Sequence, residues 1–177
     1  MSDRSDIVIR GAMLADALAI AELHVAVSQA TYRELAPPEA IARLDLAHRH
    51  ARWVETLEKA QRTALVAESD GKILGIGTAG APTVPELGTH GEVLHLYVDP
   101  AFGRRGIGRR LMQRLASALQ AQGYQSMALG VVDGNRPAID FYVKLGGRAA
   151  GYFIDPGPIW RSRNLIIIWD DLKTLLA

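Results

Sequence analysis

The sequence predicts an α/β protein of the mixed-sheet (α+β) kind, with about seven strands and helices on both faces. Three observations carry this. Residues 92–132 read as strand, glycine turn, helix and strand, a connection that lays its two strands parallel. Asp70-Gly71 joins two apolar runs with the turn chemistry of an antiparallel hairpin. Elsewhere, segments with helical apolar spacing separate the strand-like runs. A chain of 177 residues, 49% hydrophobic and 22% charged, has the size of one globular domain with a substantial core. No internal repeat, low-complexity segment or linker divides residues 1–177, so a single domain is expected.

Taken in order, residues 7–10 form a short first strand. Over residues 14–31 apolar side chains recur with helical period, Leu14, Leu18, Ala21 and Val25 along one row, with Asp16, Glu22 and His24 between them. Residues 32–38 interrupt that helix, and Pro37-Pro38 before Glu39 suits the first turn of another. The second helical region, residues 39–60, is expected to break near His48, and Trp53, Leu57 and Ala60 give its later part an apolar row. Residues 62–68 and 72–80 are the hairpin strands, and residues 82–89 a proline- and glycine-containing loop.

The central strand follows, apolar or aromatic at Val93, Leu94, Leu96, Tyr97 and Val98. Asp99-Pro100 halts it, because proline removes a ladder donor. A third long helix opens at Gly106, carries Ile107, Leu111, Leu115 and Leu119 on one stripe, and ends at Gly123-Tyr124. Residues 125–132 make the next strand. Ile139, Tyr142 and Leu145 mark a fourth helix, ended by Gly146-Gly147. Residues 149–154 and 164–169 are the last strands, around the irregular loop 155–163. Leu165-Ile166-Ile167-Ile168-Trp169 is apolar without alternation, so both its faces are expected to be covered, by helices or by a second subunit. A homodimer is therefore an expectation.

Composition excludes several function classes. No apolar run approaches the ~18 residues of a membrane span, so no membrane partner is expected. Met1-Ser2-Asp3-Arg4-Ser5-Asp6 lacks the apolar stretch of a secretion signal. The absence of cysteine removes disulfides, thiolate zinc sites and a cysteine acyl-enzyme route, and fits a cytoplasmic location. A net charge of +1 argues against nucleic acid as a main partner. His48 and His50 lie two apart, on different helix faces, so the histidines give no metal constellation.

Chemistry gathers between the central strand and the third long helix, at Gly103-Arg104-Arg105-Gly106-Ile107-Gly108-Arg109-Arg110. A helix start leaves backbone N–H groups unpaired and carries the positive end of the helix dipole. Gly106 and Gly108 remove the Cβ atoms that would keep a ligand away. Strand, turn and helix together make an anion cradle whose natural ligand is a phosphate. A Walker loop would need Lys-Ser or Lys-Thr after Gly108, where Arg109-Arg110 stand. A dinucleotide fingerprint would need a small residue at Leu111 and an acidic residue about 20 positions on, near Met127–Gly130 where none stands. Arg104, Arg105, Arg109, Arg110 and Arg114 add a local basic cluster.

The turn resembles the signature of the GNAT superfamily of acetyl-CoA-dependent N-acetyltransferases, Gln/Arg-x-x-Gly-x-Gly/Ala after a strand ending in an Asp/His-Pro corner. Gly103 stands where the family usually has Gln or Arg. A second block, Asn135-Arg136-Pro137-Ala138-Ile139-Asp140-Phe141-Tyr142-Val143-Lys144-Leu145-Gly146, is similar to the family's later Asn-x-x-Ala-x-x-x-Tyr-x-x-x-Gly pattern. The resemblance implies the GNAT-type fold, acetyl-CoA as co-substrate and an amine acceptor.

Residue by residue, it implies that Arg104, Arg105, Gly106, Ile107, Gly108 and Arg109 cradle the diphosphate. The backbone of Leu96, Tyr97 and Val98 would line the gap between splayed parallel strands that takes the pantetheine arm, and would supply oxyanion donors. Asn135 would bond the arm or simply cap its helix. Glu92 matches the position of a general base, needed because an amine of pKa near 10 is mostly protonated at pH 7. His95, three residues on, falls on the opposite face under regular alternation; a bulge would turn it inward as base or substrate contact. Tyr142 matches the tyrosine that protonates the departing thiolate. The acceptor pocket is expected between residues 32–38, the central strand and residues 155–163, with Tyr32, Trp160 and Arg161 on its walls and Trp53 in the core. The rival reading is an acyl-CoA-binding sensor that kept the cradle without turnover.

Overall fold

The computed structural model describes residues 6–43 and 45–177. The signal-free start expected at residues 1–5 lies outside them, as does Leu44. Strand β1 (Val8–Gly11) is followed by a short 3-10 turn and α1 (Ala17–Tyr32). Two helices come next, α2 (Pro38–Ala42) and α3 (Leu46–Lys59). The hairpin is β2 (Thr63–Ser69) and β3 (Lys72–Gly80). Then come β4 (Gly91–Val98), α4 (Ile107–Ala121), β5 (Met127–Val132) and α5 (Arg136–Lys144). Strands β6 (Arg148–Asp155) and β7 (Ser162–Trp169) precede a terminal α6 (Lys173–Leu176), which the sequence pattern had not suggested.

The seven strands form one sheet in the order β1-β2-β3-β4-β5-β7-β6. Every neighbouring pair is antiparallel except β4 and β5, the parallel pair expected from the connecting helix. Helix α4 covers one face with its predicted stripe: Ile107, Leu111, Leu115 and Leu119 are all fully buried. It sits close because β3 and β4 offer glycines beneath it. A Cβ at Gly77 would lie 2.8 Å from the Leu115 side chain, and one at Gly91 2.7 Å from that of Leu119. Helices α1 and α3 cover the opposite face around Ile20, Trp53, Val66 and Ile76.

Two expectations shift. The α1 row of Leu14, Leu18, Ala21 and Val25 is not the buried one, since Leu14 and Leu18 are about half exposed. Ala17, Ile20, Ala21, His24 and Ser28 face the sheet instead, because small side chains allow close approach and His24 finds a hydrogen-bond partner. The helical break comes before His48: Asp45 starts α3, its side chain accepting from the His48 N–H at 2.8 Å. The apolar run in β7 is covered within the chain. Leu165, Ile167 and Trp169 join the α4 side, while Ile166 and Ile168 pack with Leu87 and Ala128.

Candidate active site

The anion cradle is built from main chain. Arg104 (φ 61°) and Gly106 (φ 76°) both adopt left-handed conformations, and Gly106 is the N-cap of α4. Alternation of this kind curls successive N–H groups around a concavity. The backbone N–H groups of Arg104, Arg105, Gly106, Ile107, Gly108 and Arg109 have no acceptor among the described residues; Arg110 is the first to bond, to the Gly106 carbonyl at 3.0 Å. A Cβ at Gly106 would meet nothing within 4 Å, so the ligand side of the turn is open. Gly108 works differently from the expectation. Its missing Cβ would lie 3.0 Å from the Phe141 ring, so it lets α5 pack on α4 rather than admitting a ligand. Arg105 stacks over Phe102 at 5.0 Å.

Strands β4 and β5 pair only at Gly91 with Met127 and Glu92 with Ala128. Beyond Glu92 they part, leaving the Leu96–Val98 backbone unpaired on its β5 side. A cleft of about 560 Å³ opens there. Its lining joins β4 (Glu92, Leu94, Tyr97) and β5 (Gly130, Val132) to Tyr32, Arg49 and Trp160. The predicted pair Tyr32 and Trp160 meets edge to face, centroids 5.5 Å apart. Arg161 is exposed and does not line the cleft.

Opposite β3, Glu92 pairs with Gly80, Val93 with Ala79 and His95 with Thr78. Leu94 is therefore an extra residue, a bulge that reverses the phase of the strand. Glu92 and His95 consequently share the α1–α3 face, the inward turn that regular alternation forbids. Leu94 projects into the cleft.

Glu92 is buried yet lines the cleft. Its Oε2 accepts from the Thr83 N–H at 2.7 Å and from Arg62 Nη2 at 3.4 Å, and its Oε1 from the Thr83 hydroxyl at 3.0 Å. A carboxylate has about four acceptor sites, so one remains. Arg62 also donates to the carbonyls of Ala81 and Glu92, which ties the 81–83 loop to β4.

Behind Glu92 lies an aromatic floor. Tyr97 stacks on His24 at 4.4 Å, and the Trp53 indole N–H donates to His24 Nδ1 at 3.0 Å, fixing a neutral imidazole protonated at Nε2. His95 Nδ1 lies 2.8 Å from the Thr78 hydroxyl. Burial, with the nearby His95 and Arg49 charges, lowers His24 from its usual 6.5 to about 2. Burial and the Arg62 and Arg49 charges lower His95 to about 3. Both rings are neutral across the physiological range.

Tyr142, buried in α5 with its ring edge-on to Trp169 and Phe141, is not on the cleft wall. Burial raises its pKa far above 10, with Tyr97 adding to the rise, so the phenol holds its proton. Asn135 precedes α5 but makes no side-chain cap bond, leaving its amide uncommitted among the described residues.

The sequence pattern did not reveal Arg49, Arg62, Thr83 or His24 as parts of this site. Arg62 and Thr83 reach Glu92 only through sheet order, and no spacing in the chain encodes that. Among the described residues no group of three His, Cys, Asp or Glu side chains is placed to hold a metal, and no helix is long and apolar enough to cross a membrane.

Comparison with known proteins agrees with this geometry. The acetyltransferase (GNAT) family model matches residues 25–147. The uncharacterized N-acetyltransferase YuaI of Bacillus subtilis is 28% identical over 137 residues, 77% of each chain. The IAA acetyltransferase of Azospirillum brasilense is 33% identical over 111 residues, 62% of this chain and 69% of its own. The fold is that of the PaiA N-acetyltransferase of Thermoplasma acidophilum, solved in complex with coenzyme A, with a TM-score of 0.70 at 19% identity over 92% of this chain and 98% of that one.

Proposed function

The chain belongs to the GNAT acetyltransferase family, and from that membership we propose that it moves the acetyl group of acetyl-CoA to a primary amine by direct transfer within a ternary complex. The observation that carries the reading is the run of unbonded main-chain donors from Arg104 to Arg109, set beside a parallel strand pair that parts into a cleft. Donors left unmade at a helix start are completed by an anion. The diphosphate of the co-substrate fits them, with Arg104, Arg105 and Arg109 adding charge. Acetyl-CoA supplies the acetyl group already activated as a thioester.

The remaining roles fall to groups along β4 and α5. The unpaired backbone of Leu96, Tyr97 and Val98 holds the pantetheine arm and offers N–H donors where negative charge develops on the carbonyl oxygen. Asn135, free of its cap, bonds the arm. Glu92 takes the proton of the ammonium, directly or through water, on its remaining lone pair. His95, neutral and weakly basic, contributes a contact rather than a base. Tyr142 keeps its proton until the departing sulfur needs it. Tyr32 and Trp160 clasp the acceptor. The cysteine-free composition supports a cytoplasmic location, and the exposed Tyr152 and Ile154 on the edge strand β6 support a homodimer, which light scattering would test.

The test is thiol release from acetyl-CoA across an amine panel, with Glu92→Gln alongside. We expect kcat to fall about 10²-fold at pH 7 with acetyl-CoA affinity unchanged. That deficit should shrink toward pH 10, where the amine loses its proton unaided. Calorimetric binding of CoA without release on any amine would favour a sensor.

A further inference from the structure

We propose that Arg49 receives an anionic group of the acceptor, so that the preferred substrate is a primary amine bearing a carboxylate, an amino acid or close analogue. The inference rests on the acetyl-transfer reading above and adds the class of acceptor.

Among the described residues two arginines line the cleft, both from α3. Arg52 is engaged, its Nη1 donating to Glu55 at 2.7 Å. Arg49 is not. It is half-buried, its Nε is shielded from solvent without a hydrogen-bond partner, and its guanidinium has no ion pair among the described residues. A shielded guanidinium donor left unmade is costly, and few side chains in a domain are in this state. The planar fork of arginine matches a carboxylate in bidentate fashion.

The negative groups that line the cleft among the described residues do not answer this charge. Glu92 is held by Arg62 and Thr83 on the β4 side, and Asp155 accepts the Gly157 N–H at 3.0 Å in its own turn. The cleft thus presents a matched carboxylate at one point and an unmatched cation at another. Arg49 and Glu92 line the same cleft, and the Arg49 charge bears on His24, His95, Tyr32 and Tyr97. An acceptor lying with its amine toward Glu92 and its carboxylate toward Arg49 satisfies both ends. A polyamine would set an ammonium against a guanidinium in a partly shielded site.

The test uses the twenty proteinogenic L-amino acids, their carboxamides and spermidine, in two measurements on the full chain. One is calorimetric binding to the CoA-saturated protein, and the other is thiol release from acetyl-CoA. We expect at least one amino acid to bind and react, with its carboxamide at least tenfold weaker in both. Arg49→Gln should raise KM for that amino acid at least 30-fold, with little change in kcat or in KM for acetyl-CoA, and Arg49→Lys should recover part of the loss. Circular dichroism establishes that both variants fold. Amino acids that bind in an Arg49-dependent way without turnover would uphold this inference and remove the transferase reading. Preference for carboxamides or spermidine, equal KM in the Gln variant, or no binding and no turnover of any amino acid would overturn it.

Discussion

The two halves of the candidate site are built on opposite plans. The phosphate end is eight consecutive residues whose conformation matters more than their side chains: two left-handed positions, a helix start and a row of unbonded amides. The acceptor end is assembled from α1, α3, β4 and the loop before β7, and its groups act through side chains, most of them engaged with others and Arg49 without an ion pair among the described residues. A backbone site tolerates side-chain change and fails when its dihedrals are disturbed. A side-chain site behaves the other way.

The largest expected effect tests the first half of that contrast. Gly106→Val puts a β-branched residue at φ 76° and fills open ligand space. Acetyl-CoA affinity should drop about 10²-fold, or about 2.7 kcal/mol, by calorimetry. Arg109→Ala should cost only about fivefold, and a larger loss than in Gly106→Val would break the comparison. Next is Tyr142→Phe, which removes a proton donor and little packing. We expect kcat to fall at least tenfold with the melting temperature nearly unchanged; normal turnover would strip Tyr142 of its role.

The aromatic floor gives a third, thermodynamic contrast. His24 and His95 hold pKa values of about 2 and about 3 in the folded chain, against 6.5 when unfolded. Below pH 6.5 the unfolded chain binds protons that the folded one refuses, so the stabilisation is complete above that pH and is lost as pH falls. Each neutral ring contributes a slope of up to about 1.4 kcal/mol per pH unit, His24 the more fully because it is the more buried. Urea midpoints between pH 7 and 4 should show this, and His24→Gln should flatten the curve. Wild type and variant with the same slope would rule it out. The smallest effect is Asn135→Ala, expected to raise KM for acetyl-CoA about threefold with the melting point unchanged, because no cap bond is lost. A clear drop in melting temperature would return Asn135 to a capping role.

The same contrast explains what could be read in advance. The stripe of Ile107, Leu111, Leu115 and Leu119, the Asp70-Gly71 hairpin and the glycine turn are local patterns, and all stand in the structure as written in the chain. Gly108 was misread because a missing Cβ looks the same in sequence whether it admits a ligand or a Phe141 ring. The α1 row failed because Leu14 and Leu18 outrank Ala17 and Ser28 in hydrophobicity, while close packing on the sheet selects for size. Arg49, Arg62 and Thr83 carry no local signature, because their meaning comes from neighbours 30 or more positions away or, for Thr83, across a loop.

The bulge at Leu94 has a consequence for how this gene can change length. Without that one residue, everything from His95 onward would swap sides: Leu96 and Val98 would point at His24 and Trp53, and Tyr97 would be driven under α4. Losing a single codon there would turn half of the central strand inside out, whereas the connection at residues 156–161 has no such parity to keep. Insertions and deletions among relatives should therefore spare this one position and gather around the acceptor instead.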